Sequence, residues 1–171
     1  MEKIIPEKTN DRTGLSPVRF FHSVSFFVYL FAARSGTGKS THTRLWRELF
    51  GERAIMVNDD KPFLQIASGR VLAYGSPWSG KHGLDTNLSV PLAGICLLQR
   101  GTENRIVSVS PEDALPMLQK QTYRPADFAR FDALTAQIAQ RIPLWQLTCT
   151  PQDFTVPDWA QGATIYQVFP D

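Results

Sequence analysis

Apolar residues fall in short blocks divided by glycine, proline and acidic clusters, and strand-length blocks alternate with segments of helical spacing, which predicts an α/β chain. The first block, Arg19 to Ala33, is aromatic and aliphatic almost throughout, broken by His22, Ser23 and Ser25. It is more than twice the usual strand length, so a strand pair is expected, although no Gly, Pro, Asn or Asp marks its turn. Its second half, Phe26 to Ala32, leads into Ala33-Arg34-Ser35-Gly36-Thr37-Gly38-Lys39-Ser40-Thr41. Beyond that turn, Leu45, Trp46, Leu49 and Phe50 form one apolar helical face and Gly51 stands where a helix stops, so a helix is predicted over about Lys39 to Phe50.

Ala54 to Val57 reads as a short buried strand running into Asn58-Asp59-Asp60. Phe63 to Ile66 and Val71 to Tyr74 read as a hairpin turned by Ser68-Gly69. Residues 75 to 87 carry three glycines and a proline and read as a long loop. Ala93 to Leu98 and Arg105 to Val109 are strand-like, with a turn around Gly101. Ser110-Pro111-Glu112-Asp113 carries a capping serine, proline at the first helical position and first-turn acids, so a helix starts there, and Pro116 is expected to kink or shorten it. Phe128, Phe131, Leu134, Ile138 and Ile142 predict a further helix ending by Pro143, followed by a strand over Leu144 to Cys149. After Pro151 the pattern fits a helix, with Trp159, Ala163 and Tyr166 on one face, or an extended segment from Ala163 onward; the helix is preferred. Residues 1–17, polar and aperiodic, are read as a loosely held arm, and 18–171 as a single domain.

Composition narrows the class. With 43% apolar and 20% charged residues, the chain has the profile of an ordinary globule. A net charge of +2 without a basic run argues against nucleic acid. The two cysteines, Cys96 and Cys149, lack the paired spacing of a zinc or redox site and read as free thiols. No apolar run approaches a membrane span and no secretory layout opens the chain, so no membrane partner and a cytoplasmic location are expected.

The candidate chemistry begins at the glycine turn. A strand, a turn with two glycines and Lys39, then a helix is the order of a phosphate-binding (Walker A) loop. In it backbone amides wrap an anion, Lys39 reaches the outer phosphates and the Ser40 hydroxyl is offered to Mg²⁺. The same letters also fit a plain strand-to-helix turn. Asp59 and Asp60 lie 20 residues beyond Lys39, at the carboxyl end of a strand expected to neighbour the loop strand, where open α/β sheets place ligands. One carboxylate there can hold Mg²⁺ beside Ser40 while the other takes a proton from an attacking hydroxyl. Neighbouring strand residues face opposite ways, so a bulge or turn must intervene for both to serve. In isolation the pair also reads as solvated turn aspartates. The 75–87 loop suits either a lid presenting Lys81 and His82 to an anion or a surface connection anchored by Trp78.

Ser35-Gly36-Thr37-Gly38-Lys39-Ser40-Thr41-His42-Thr43, Asn58-Asp59-Asp60-Lys61-Pro62 and Gly75-Ser76-Pro77-Trp78-Ser79-Gly80-Lys81 together resemble the HPr kinase/phosphorylase and phosphoenolpyruvate carboxykinase group, most of all its poorly characterised bacterial HPr kinase-like branch, from about His22 to Cys149. The resemblance implies a single-domain P-loop nucleotide-binding fold with a mixed sheet. It implies a site in which Ser35 to Thr41 bind ATP, Lys39 holds its phosphates, and Ser40, Asp59 and Asp60 serve Mg²⁺ and the acceptor. It also matches His22 to a histidine near the catalytic aspartate of HPr kinase. The chain departs from the group at Ala33, where the loop usually begins with glycine, and in a shortened first hairpin. The expected function is an ATP-dependent kinase moving the γ-phosphoryl group to a hydroxyl of a protein, peptide or small molecule. The alternatives are a nucleotide-binding module acting through a protein partner and, less favoured, carboxykinase-type chemistry.

Overall fold

The computed structural model describes residues 27–78, 80, 83–123, 126–150 and, as backbone alone, 165–168. The expected N-terminal arm and the first half of the aromatic block lie outside these residues. β1 (Phe27–Ala32) is buried from its second residue onward, the signature of a strand covered on both faces. It pairs in parallel with β5 (Ser89–Arg100) on one side and with β8 (Ile165–Val168) on the other. β8 in turn pairs in parallel with β2 (Ala54–Asn58). β5 pairs in parallel with β7 (Leu144–Cys149), whose far side carries antiparallel β6 (Arg105–Ser108). The result is a six-stranded mixed sheet in the order β2-β8-β1-β5-β7-β6.

The first residues of β5 extend past this sheet and pair antiparallel with β4 (Arg70–Tyr74), which forms a hairpin with β3 (Phe63–Ala67). The predicted Ser68-Gly69 turn is present, with φ of 50° and 76°, the pair of positive angles a tight hairpin needs. The strand expected over Ala93 to Leu98 runs from Ser89 to Arg100, twice that length, because Pro91 does not interrupt it. Pro91 lies opposite Leu72 at the margin of the sheet, and Gly94 leaves room for the Trp145 ring, which would lie 2.2 Å from an added Cβ.

Alternation along β1 sends Val28, Leu30 and Ala32 to one face of the sheet and Tyr29, Phe31 and Ala33 to the other. On the first face lie α2 (Pro111–Gln121) and α3 (Phe128–Ala139), through Ala114, Leu118 and Ala139. On the second lies α1 (Lys39–Phe50), through Trp46 and Phe50. Ser110 caps α2 by accepting the Asp113 amide at 3.1 Å, as its sequence predicts. Pro116 neither ends nor shortens α2; it is exposed, as is Glu112, so the carbonyl it leaves without an intrahelical partner faces water.

Three expectations are corrected. Ile165–Val168 is a strand and not part of a helix, so the helical reading of the tail fails where the structure describes it. A parallel strand inside a sheet draws its stability from its two neighbours, which local periodicity does not reveal. Because that strand is β8, β2 is not the neighbour of the loop strand. Finally, the buried stripes of α1 and α3 differ from their apolar spacing. Leu49 is 58% exposed and Phe128 60% exposed, while Lys39, His42 and Thr43 in α1 and Phe131, Thr135 and Ala139 in α3 are covered. Among the described residues no helix is long and apolar enough to cross a membrane.

Candidate functional site

β1 delivers the chain into the predicted loop, and the loop has the shape its glycines predict. Gly36 and Gly38 adopt φ of 78° and 116°, angles that side chains with a Cβ resist, and α1 starts at once from Gly38 with no side-chain cap. A helix start leaves its first amides without intrahelical acceptors and carries the positive end of the helix dipole, so it favours an anion. Lys39 is buried, its Nζ donating to the carbonyl of Ala33 at 2.8 Å and more weakly to that of Arg34 at 3.4 Å. Thr37 closes the turn: both its amide and its hydroxyl donate to Arg34 O, at 3.2 and 2.7 Å. Ala33, the departure from the usual motif, is fully buried in the core on the α1 side and has no positive φ, so this position does not demand glycine.

The second half of the site hangs from the end of β2. Asn58 is fully buried, and its amide nitrogen donates to Ser76 O at 3.0 Å, Ser76 Oγ at 3.1 Å and Trp78 O at 3.3 Å. Its Oδ1 accepts the Asp60 amide at 2.9 Å, which bends the chain between the two aspartates. That bend falls where their adjacency calls for a turn, but it does not bring both carboxylates to one space. Asp59 Oδ1 accepts the Gly80 amide at 2.5 Å. A Cβ on Gly80 would stand 3.2 Å from the Asp59 carboxylate, so glycine there permits the close approach. The far part of the loop is tied down by Thr86 N donating to Val57 O at 3.0 Å and by Gly75 N donating to Leu88 O at 3.1 Å.

The two halves meet in a cleft of about 260 Å³ lined by Ser40, Thr41, Arg44, Arg47 and Thr43 of α1 and by Met56, Asp59 and Leu84. Thus Ser40 and Asp59, two of the three expected metal-binding residues, face a common space even though β8 separates their strands by two strand spacings, roughly 10 Å. α1 lies beside β2 and spans that gap. Asp60 does not line the cleft; its carboxylate is 3.8 Å from Lys61 Nζ. His22, Lys81 and His82 lie outside the described residues. Among the described residues no three His, Cys, Asp or Glu side chains gather as a metal cluster. A hydroxyl and a single carboxylate suit Mg²⁺, which takes few protein ligands and completes its shell with phosphate oxygens and water.

Two residues belong to this region without having been singled out for a role. Asn58 is a polar side chain ending a buried strand, a position that demands partners and so signals a tethered loop. Arg100, the last residue of β5, donates through Nε to Thr37 O at 3.3 Å and through Nη2 to Gly36 O. Because β1 and β5 are parallel, Arg100 emerges at the same end of the sheet as the loop. Elsewhere, burial holds the His42 imidazole well below its usual range, at about 4, and raises the Cys96 thiol. Both sit on the α1 side of the sheet, the His42 ring packed at a tilt against Phe31 and Trp46 at centroid distances of 5.1 and 5.6 Å.

No protein-family model, curated protein or solved structure matches the chain.

Proposed function

We propose that the chain is an ATP-dependent phosphotransferase of the HPr kinase-like kind, moving the γ-phosphoryl of ATP to a hydroxyl. The observation that carries this reading is the shared cleft of Ser40 and Asp59, one residue beyond a buried loop lysine. In this reading Lys39 and the amides of residues 38 to 41 bind the phosphates, while the Thr37 amide closes the turn on Arg34 O, and the helix start orients the anion. Ser40 Oγ and an Asp59 oxygen are the groups that would hold Mg²⁺, whose charge would offset that of the phosphates. Asp59 is the carboxylate that lines the cleft, and Asp60 is the second carboxylate, available to a proton only if its side chain turns toward the acceptor. Asn58 holds the bend that separates the two.

A second reading, a nucleotide-binding module without transfer, is favoured by one observation: β8 stands between the loop strand and the aspartate strand, which widens the site. The two are separated by measuring Mg-ATP binding calorimetrically and ADP release in the intact protein, in Lys39→Ala and in Asp59→Asn. The kinase reading expects Lys39→Ala to weaken binding at least about tenfold, the loss of one charge-assisted contact. It expects Asp59→Asn to keep binding within a few fold and to lower turnover by about a hundredfold or more. Binding without turnover in the intact protein selects the module; no nucleotide binding refutes both.

A further inference from the structure

We infer that Arg100 is a positioning residue for phosphate binding, acting on the loop from behind and not touching the ligand; the inference rests on the nucleotide-binding reading above. Its guanidinium holds two consecutive carbonyls, those of Gly36 and Thr37. In a planar trans peptide the N–H points opposite the C=O, so fixing Thr37 O on the Arg100 side sends the Gly38 amide the other way, away from the guanidinium. Fixing Gly36 O does the same for the Thr37 amide, which points to Arg34 O at 3.2 Å and so closes the turn. One cation therefore sets the direction of two successive peptide units.

Those two units are the ones that need it. They lie between Gly36 and Gly38, both at positive φ, so the segment is hinged at each end by a residue with the widest backbone freedom in the chain. Without an anchor, ligand binding must also order the hinges; with Arg100 in place that ordering is already made, and more of the interaction energy appears as affinity. A cation at the carbonyl end also polarises each peptide group and makes its N–H a stronger donor.

Arg100 is itself held in place from behind. Its residue pairs with Cys149 across β5 and β7, Gly101 N donates to Cys149 O at 3.0 Å, and Gln99 Nε2 donates to Thr148 Oγ1 at 2.8 Å. The loop and Arg100 share the walls of a second open cleft of about 340 Å³, with Arg34, Ser35, Leu98 and Met117. The guanidinium is thus open to solvent on its far side, and a small cation from solution can reach its place.

The test uses the full chain with Mg-ATP and, separately, inorganic tripolyphosphate as probes, measured for the unaltered protein, Arg100→Ala, Arg100→Lys and Lys39→Ala. The expected result is an affinity about tenfold weaker for Arg100→Ala with both probes, partial recovery in Arg100→Lys, and an unfolding midpoint without ligand that stays within about 2 °C. Millimolar guanidinium, at concentrations that do not denature, restores binding to Arg100→Ala and leaves Lys39→Ala unchanged. Unaltered affinity in Arg100→Ala overturns the inference, and so does a loss that guanidinium fails to rescue, which would mark the residue as structural. Failure of the unaltered protein to bind either probe refutes the nucleotide reading itself and the inference with it, a result distinguishable because it appears before any substitution is made.

Discussion

His42 makes the stability of this protein depend on pH below neutrality. Its ring is 4% exposed, wedged between Phe31 and Trp46, and its Nδ1 lies 3.9 Å from Cys149 Sγ. Burial penalises the imidazolium, so the folded protein binds a proton there at about pH 4 against an ordinary 6.5. Between those values the unfolded chain binds more protons than the folded one, so stability rises with pH: the contribution is complete above about 6.5 and is lost as pH falls toward 4. At about 1.36 kcal/mol per pH unit the full window is worth about 3 kcal/mol, and the part between pH 7 and pH 5 about 2 kcal/mol. With a urea slope of about 2 kcal/mol per molar, this is a fall in the unfolding midpoint of about 1 M. The assay is urea unfolding followed by tryptophan fluorescence at pH 7 and pH 5, in the intact protein and in His42→Phe, which keeps a ring in the slot but cannot titrate. Carboxylates contribute equally to both proteins, so the difference isolates the imidazole. A midpoint that falls equally in the two refutes the reasoning, as does an NMR titration of the His42 ring in the native protein with its midpoint near 6.5.

Asn58→Ala removes one acceptor and the donor of three hydrogen bonds at a fully buried position, and is expected to cost about 3 kcal/mol, seen as a thermal midpoint lowered by about 6–12 °C. Gly80→Ala pushes a Cβ against Asp59, whose carboxylate must move by a few tenths of an ångström; turnover is expected to fall by an order of magnitude while Mg-ATP binding, measured calorimetrically, stays within a few fold. Ala33→Gly restores the usual loop glycine, yet position 33 is buried without positive φ; chemical denaturation is expected to show a loss of about 1 kcal/mol and nucleotide titration no gain in affinity.

The parts of the fold that were legible are those written in local chemistry. Ser68-Gly69 announced its hairpin because those backbone angles are hard to supply otherwise, and Ser110-Pro111 announced α2 because a helix start needs a donor-accepting side chain. The glycines and lysine of the loop were legible for the same reason. What stayed hidden was decided by packing at a distance. Leu49 is apolar but faces out, because the stripe of α1 that meets the sheet runs through Lys39, His42 and Thr43, and Lys39 is covered by the loop that precedes it. β5 was read as half its length, starting at Ala93, because Pro91 looks like a break until its neighbour Leu72 is known. In the site, Ser40 and Asp59 were given roles, whereas Asn58 was quoted only as part of a motif and Arg100 not at all, although both hold the surrounding backbone. Arg100 reaches carbonyls 63 and 64 residues away, and Asn58, beside its local bond to the Asp60 amide, reaches carbonyls 18 and 20 residues away; the distant contacts have no local signature.

The place of β8 constrains when the described sheet can be completed. It follows every other described strand in the chain, yet it sits between β1, the first described strand, and β2. Until Ile165–Val168 arrives, the edges of β1 and β2 that it joins lack the backbone partners it supplies. Hairpin β3–β4 and helices α1, α2 and α3 are made of near neighbours and can form while the chain emerges, but the sheet closes by a contact spanning most of its length, the slowest kind to make. A protein so built cannot bring the two walls of the Ser40–Asp59 cleft to their final spacing early, because a strand that follows both in the chain sets that spacing.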